Sequence, residues 1–361
     1  MHGRNGRAWT LQHEASNQVT HTVFSLRLFL GALCLLVTPI ASGADRVRVL
    51  AEGSERSTNA QIVRGIAMLI AKPAGIEVDM RQSAGPLNTL VRLREGSGQQ
   101  FALLQADLAE AYLGAAARGS IEASQLLAPI RVIAPLHEED IYFMVRSNSP
   151  LNFVHEIEGT RINVGVLNGS TALTVSMLYR LMFNVPIPEQ QTSFHSHQDA
   201  LVKLTEEAVD VVAFVSPDPA RLLADMRPEA RRFVKLLKFD ANYPGARRVF
   251  NIYSAKTIPA ASYPNLLDDD LPTLAVKIYL VSHGRNDALQ ARFANAWCQY
   301  LPRLRDQGPP ALQGLDLALP PLVSGWHYSR PFERELRACI EGKRTPAESC
   351  PQEDRVLGLC S

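Results

Sequence analysis

The chain has 361 residues, 46% of them apolar and 20% charged, with a formal net charge of +1 at neutral pH. That composition excludes a disordered chain and leaves room for two domains. The near-neutral charge gives no basic surface of the kind nucleic-acid-binding proteins use, so no nucleic-acid partner is expected.

Arg4, Arg7 and Arg27 precede the apolar run Leu28 to Val37, and the small residues Ser42 and Ala44 close the segment. This is the pattern of a secretory signal peptide. Residues 1–44 are expected to be removed on export, with cleavage after Ala44. The run is shorter than the roughly 20 residues that span a bilayer, and an uncleaved anchor is the alternative. Leu33 stands before Cys34, where a lipoprotein cysteine takes a small residue.

The mature chain begins with an alternating strand, Arg46 to Gly53. A helix follows from the caps Ser57 or Thr58 to Gly75. "IEVDMRQS" is a second strand and "PLNTLVRLREG" a short helix with Pro86 in its first turn. "FALLQAD" is an apolar strand leading into the helix "LAEAYLGAAARG". "IRVIAPLHEEDIYFMVR" contains two strand-like runs. This alternation predicts a parallel sheet.

The pattern then restarts. "GTRINVGVLNG" reads as a strand and "STALTVSMLYRLMF" as a helix. "QQTSFHSH" is a candidate strand, and "QDALVKLTEEA" is a helix. "VDVVAFVSP" is a buried strand, "DPARLLADM" a helix and "FVKLLKFD" a strand. "TLAVKIYLVSHG" returns to a strand, and "DALQARFANAWCQYLPRLRDQ" is a long helix. Two α/β domains without a long linker imply a compact pair with a cleft between them. The late strand suggests that the chain leaves the first lobe and comes back. The expected division is 45–140 with 256–361 as lobe 1, and 141–255 as lobe 2.

Asn168-Gly169-Ser170-Thr171 joins a strand to a helix, a place where backbone N–H groups can hold an anion. It lacks the lysine of a P-loop and the glycines of a dinucleotide fingerprint. A plain helix cap is the simpler reading of this turn alone. Two further hydroxyl-rich turns follow strands, Glu52 to Asn59 and Gln82 to Asn88, which in open α/β sheets is where ligands bind. Arg56 adds a guanidinium that could pair with a carboxylate, or with Glu52 or Glu55 at the surface. His195 and His197 would share a face if "FHSH" is a strand, but no third metal ligand stands at matching spacing. Ser170 lacks the flanking glycines of a nucleophile elbow. Asn168-Gly169-Ser170 also reads as a glycosylation acceptor. Nothing here points to catalysis, and no metal or cofactor is expected.

Beyond the signal segment lie Cys298, Cys339, Cys350 and Cys360. An even number in an exported chain suggests disulfides. Three pairings are open, and Cys298–Cys339 with Cys350–Cys360 is preferred among them.

Taken in order, "EGSERSTNAQIVRGIAMLIA", "QSAGPLNTLVRLREG", "FALLQADLAEAY", "VGVLNGSTA", "FVSPDPARLLAD", "TIPAASYPNLLDDDLPTLAV" and "LPPLVSGWHY" resemble the TAXI-type solute receptors associated with TRAP transporters. The order and spacing of these stretches carry the resemblance, which runs from about residue 47 to 330. It implies an α/β, type II periplasmic-binding-protein-like clamshell of two lobes with the ligand in the cleft. It also implies a monomer that captures a small organic anion (an amino acid, dicarboxylate or keto acid) for TRAP-type membrane permease subunits. By motif, the implied ligand contacts are Ser54, Ser57, Thr58, Ser83, Gly85, Asn88, Gln105, Asp107, Ser170 and Ser216. The reading of the turns adds Arg56, Asn168, Gly169 and Thr171. Gly169-Ser170-Thr171, Gln61-Ile62 and Val323-Ser324 depart from the family pattern, and the tail from about Glu341 has no counterpart in it. The rival function is a receptor that reports ligand occupancy to a membrane partner. A neighbouring permease gene would favour transport, and a neighbouring sensor kinase the rival.

Overall fold

The computed structural model describes residues 45–342, apart from Arg56, Arg285, Val323 and Ser324. The first half of the fold begins with β1 (Asp45–Glu52), α1 (Thr58–Ile66), β2 (Ile76–Ser83) and α2 (Pro86–Glu95). β3 (Gln100–Gln105), α3 (Ala106–Ala117) and α4 (Ile121–Leu127) follow. The Ser57 hydroxyl caps α1 by accepting the Ala60 N–H at 3.2 Å. Past Ala67 the helix widens into a looser turn and stops at Gly75, whose left-handed φ of 69° needs no Cβ. Every residue of β3 is buried, as expected of a strand covered on both faces.

β4 (Arg131–Arg146) runs for 16 residues. Sequence reading split this stretch into two runs. The structure joins them in one strand, with register shifts opposite Lys277/Tyr279 and Leu280/Val281 that absorb Pro135 and turn the side chains.

Next come β5 (Ile162–Asn163), α5 (Ser170–Phe183), β6 (Thr192–Ser193), α6 (His197–Thr205), β7 (Val211–Ser216) and α7 (Arg221–Ala224). β8 (Val234–Leu236), α8 (Ala246–Val249), β9 (Ser254–Ile258) and β10 (Leu271–His283) follow. The chain then forms α9 (Asp287–Gln307) and α10 (Arg330–Ile340). "FHSH" is not a strand. β6 ends at Ser193, and Ser196 caps α6 by accepting the Asp199 N–H, so His195 and His197 do not share a strand face.

The sheet order is β2-β1-β3-β10-β4-β7-β5-β6. β1 is parallel to β2 and β3, and β5 is parallel to β6 and β7. Between these two parallel groups run β4 and β10, antiparallel to each other; β10 pairs antiparallel with β3, and β4 with β7. The parallel sheet expected in the first half is thus closed by an antiparallel strand from late in the chain. Two parallel α/β groups joined through long antiparallel strands make a two-lobed molecule.

Three apolar clusters hold it together. Ile62, Phe101, Phe293, Trp297 and Phe332 pack around β1 and α9. Tyr142, Phe214, Leu223 and Tyr263 pack around β7. Leu50, Leu90, Ile141, Val175 and Tyr279 form the third, which runs through the middle. A disulfide joins Cys298 on α9 to Cys339 on α10. Cys350 and Cys360 lie outside the described residues.

Candidate functional site

The parallel strands β1 and β7 end at one cleft, with a volume of about 830 Å³. Three helix N-termini line it: α1 through Ser57, Thr58 and Asn59; α5 through Gly169, Ser170 and Thr171; α6 through Ser196, His197 and Gln198. Each brings first-turn backbone N–H groups that no carbonyl of its own helix accepts, and the positive end of a helix dipole. Ser216 at the end of β7 and Arg221 on α7 complete one wall. The α6 contribution was not legible in the sequence, because "FHSH" has the alternation of a strand. Burial pushes the His197 pKa down, so it faces the cleft as a neutral imidazole at pH 7.

The floor is acidic. Glu52 closes β1, and Glu139 reaches in from β4. Glu139 is buried; Gln105 Nε2 donates to its Oε2 at 3.1 Å, and His137 Nε2 lies 3.6 Å from its Oε1. The N–H of Ser170 donates to Glu52 Oε1 at 3.0 Å. The anion held at the start of α5 is therefore the protein's own carboxylate. Burial raises the Glu52 pKa; the hydrogen bonds with Ser170 work against that rise, and the charge of Glu139 adds to it.

Beneath the floor lies a buried polar chain. Asp107 is fully buried in the first turn of α3. Its Oδ2 accepts the Thr174 hydroxyl of α5 at 2.6 Å and the Tyr253 hydroxyl at 3.0 Å. Burial pushes its carboxyl up to about 6, against the pull of those two hydroxyls. Gln105 Oε1 stands 3.4 Å from the same threonine hydroxyl.

The residues singled out from sequence fall into three groups. Ser57, Thr58, Gly169, Ser170, Thr171 and Ser216 line the cleft together. Gln105 lines a small cavity that continues from it beside Glu52 and Glu139. The others are not gathered there. Ser54 is exposed. Ser83 is buried, its hydroxyl donating to Gly85 O at 2.9 Å. Asn88 accepts the Ala84 N–H at 3.2 Å. Gly85 and Asn168 meet at the rim, where a Cβ on Gly85 would fall 2.1 Å from Asn168 O. Asp107 lies below the floor, and Arg56 is outside the described residues. Glu52, Glu139, Thr174 and Tyr253 were missed, since their partners lie far away in sequence.

Among the described residues no group of three or more His, Cys, Asp or Glu side chains could hold a metal ion, and no helix is long and apolar enough to cross a membrane. A second groove of about 680 Å³ lies between α3 and α5, with Leu173, Met177, Arg118 and Arg180 along it.

The strand order and the cleft between the two parallel groups define a two-lobed α/β architecture. The chain belongs to the NMT1-like family, whose profile matches residues 52–289. Comparison with curated protein sequences gave no match. Among solved structures, the chain is similar to the arginine-, lysine-, histidine-binding protein ArtJ from Geobacillus stearothermophilus. Identity is 11%, over 87% of this chain and 100% of that one, with a TM-score of 0.43. It is also similar to a TctC solute-binding protein from Polaromonas, at 12% identity over 71% and 85% of the two chains and a TM-score of 0.40. XAC2383 from Xanthomonas citri is 13% identical over 82% and 96%, with a TM-score of 0.43.

Proposed function

We propose that this chain is an extracytoplasmic solute-binding protein of the TAXI type. It captures a small organic anion in the cleft and passes it, chemically unchanged, to a TRAP-type membrane permease. One observation carries the anion reading. The N-terminus of α5 already holds a carboxylate oxygen at 3.0 Å, in the wall of a cleft sized for a small molecule. The N-termini of α1 and α6 open onto the same space, so a second polar end of a solute finds a seat there too. An amino acid, a dicarboxylate or a keto acid has that form. β1, β2 and β3 with α9 and α10 act as one lobe and β5, β6 and β7 as the other, and β4 and β10 serve as the hinge between them. Ser170 and Thr171 contact the solute from one lobe, and Ser57 and Thr58 from the other.

A ligand that binds only the folded state stabilises it by RT ln(1 + [L]/Kd), about 2.7 kcal/mol at a hundredfold excess over Kd. Thermal melts against a panel of amino acids, dicarboxylates and keto acids are expected to show a shift with at least one. The uncharged amide of that compound should shift the melt much less. A panel in which only neutral or cationic compounds raise the Tm would refute the anion reading.

A further inference from the structure

β1 ends in Glu52, and its carboxylate crosses the cleft to the N-terminus of α5. Two glycines permit the approach. A Cβ on Gly169 would lie 2.9 Å from Val166 Cγ2 and 3.5 Å from Glu52 Oε1. Gly85, at φ +132°, sits so close to the Asn168 carbonyl that any side chain would push the two walls apart. These two contacts at the cleft add to the buried hydrogen bonds that Thr174 makes with Asp107 and Gln105 below it, and the Glu52 contact is the one made by a carboxylate at the cleft itself. Among the described residues no Lys or Arg forms an ion pair with Glu52 or with Glu139. A half-buried carboxylate without a cationic partner needs a donor, and the α5 N-terminus supplies one to Glu52 through the Ser170 N–H.

We infer that Glu52 is a specificity-determining residue, an internal stand-in for the carboxylate of the solute. It keeps the α5 N-terminus occupied across the cleft, and an anionic solute binds there only by displacing it. This rests on the cleft being the solute site, as proposed above. Glu139 opposes an incoming carboxylate much as it opposes Glu52, so the exchange replaces one carboxylate by another in the same field. The difference lies in tethering. Glu52 is attached to the protein and competes at a high effective concentration. A solute with a single carboxylate makes no contact that Glu52 does not already make. A solute with a second polar end gains the N-termini of α1 or α6 and outcompetes it. The cleft thus selects organic acids with two separated polar ends over simple monocarboxylates.

The test uses acetate and succinate as probes, with the wild type, Glu52→Gln and Glu52→Ala. The wild type is expected to bind succinate and not acetate. Hydrogen bonds to charged groups contribute about 1.5–3 kcal/mol, so removing the competitor in Glu52→Ala should tighten succinate binding by roughly ten- to a hundredfold. It should also bring acetate binding into range. Glu52→Gln keeps an acceptor without the charge and should fall between the two. A second readout needs no ligand. Spin labels on Met68→Cys in the looser turns after α1 and Val202→Cys in α6, both exposed positions, report the width of the cleft. Cys350→Ser and Cys360→Ser keep the labelling specific. The wild-type background should give one short separation, and Glu52→Ala should add a longer one. Weaker succinate binding in Glu52→Ala would make Glu52 a ligand contact and overturn the inference. An unchanged label separation would overturn it as well. If no variant binds either probe, the anion reading fails for these solutes, while the label separation still decides the role of Glu52.

Discussion

Asp107 shows how one buried carboxyl can report on the packing under the cleft. Its pKa stands at about 6, raised from an ordinary 3.8, because burial disfavours the charge more than Thr174 and Tyr253 favour it. The folded chain therefore holds this proton to higher pH than the unfolded chain does. Between pH 4 and 6 the folded state binds more protons, so stability falls as pH rises through that window. Two pKa units correspond to about 3 kcal/mol. Asp140, buried beside Lys256, is also raised to about 6 and adds a slope of the same sign. Urea melts from pH 4 to 7 should show stability declining, and Asp107→Asn should flatten the decline without abolishing it. An unaltered slope in Asp107→Asn would remove Asp107 as a cause. Single residues were legible where their chemistry is local. Ser57 and Ser170 stand at helix starts, and their hydroxyl-rich turns announce it. Glu52 was not legible as a partner of Ser170, because that contact closes a loop of 118 residues.

At the scale of elements, α9 and α10 show what a crosslink adds to packing. Phe293 and Trp297 of α9 pack against Phe332 of α10, and Cys298–Cys339 fixes the pair across a sequence separation of 41. Closing a loop of that length stabilises by roughly 4 kcal/mol on the chain-entropy account, and measured values are commonly about 2–4. Replacing both cysteines by alanine should lower stability by that amount without unfolding the chain, because the aromatic contacts remain. Thiol counting on the unfolded, unreduced protein should find none free if Cys350 and Cys360 also pair. Two free thiols would contradict that second bridge. Helices were the more legible elements, since their caps and 3.6-residue period are local. Strands were less so. β4 reads as two runs in sequence, and the pairings that make it one strand, with β10, β7 and β8, all come from distant segments. "FHSH" alternates like a strand, yet the Ser196 cap starts a helix there.

At the scale of the whole molecule, the two-lobed α/β fold was legible from the restart of the strand-helix alternation. The antiparallel crossing of β4 and β10 was not, because nothing local in either strand names its partner. That crossing sets one end of β1 opposite one end of β7 and turns separate hydroxyl-rich segments into a single cleft. The account stands on the claim that this cleft holds a solute at the N-terminus of α5. A calorimetric titration tests it most directly, using the best solute from the melt panel with the wild type and Ser170→Trp. Ser170 begins a helix at the cleft wall, so the bulky side chain should fill the cleft and leave the fold intact, which matching circular dichroism would verify. The account predicts one site per chain in the wild type and at least a hundredfold weaker binding in Ser170→Trp. Equal affinity in the two proteins would contradict it.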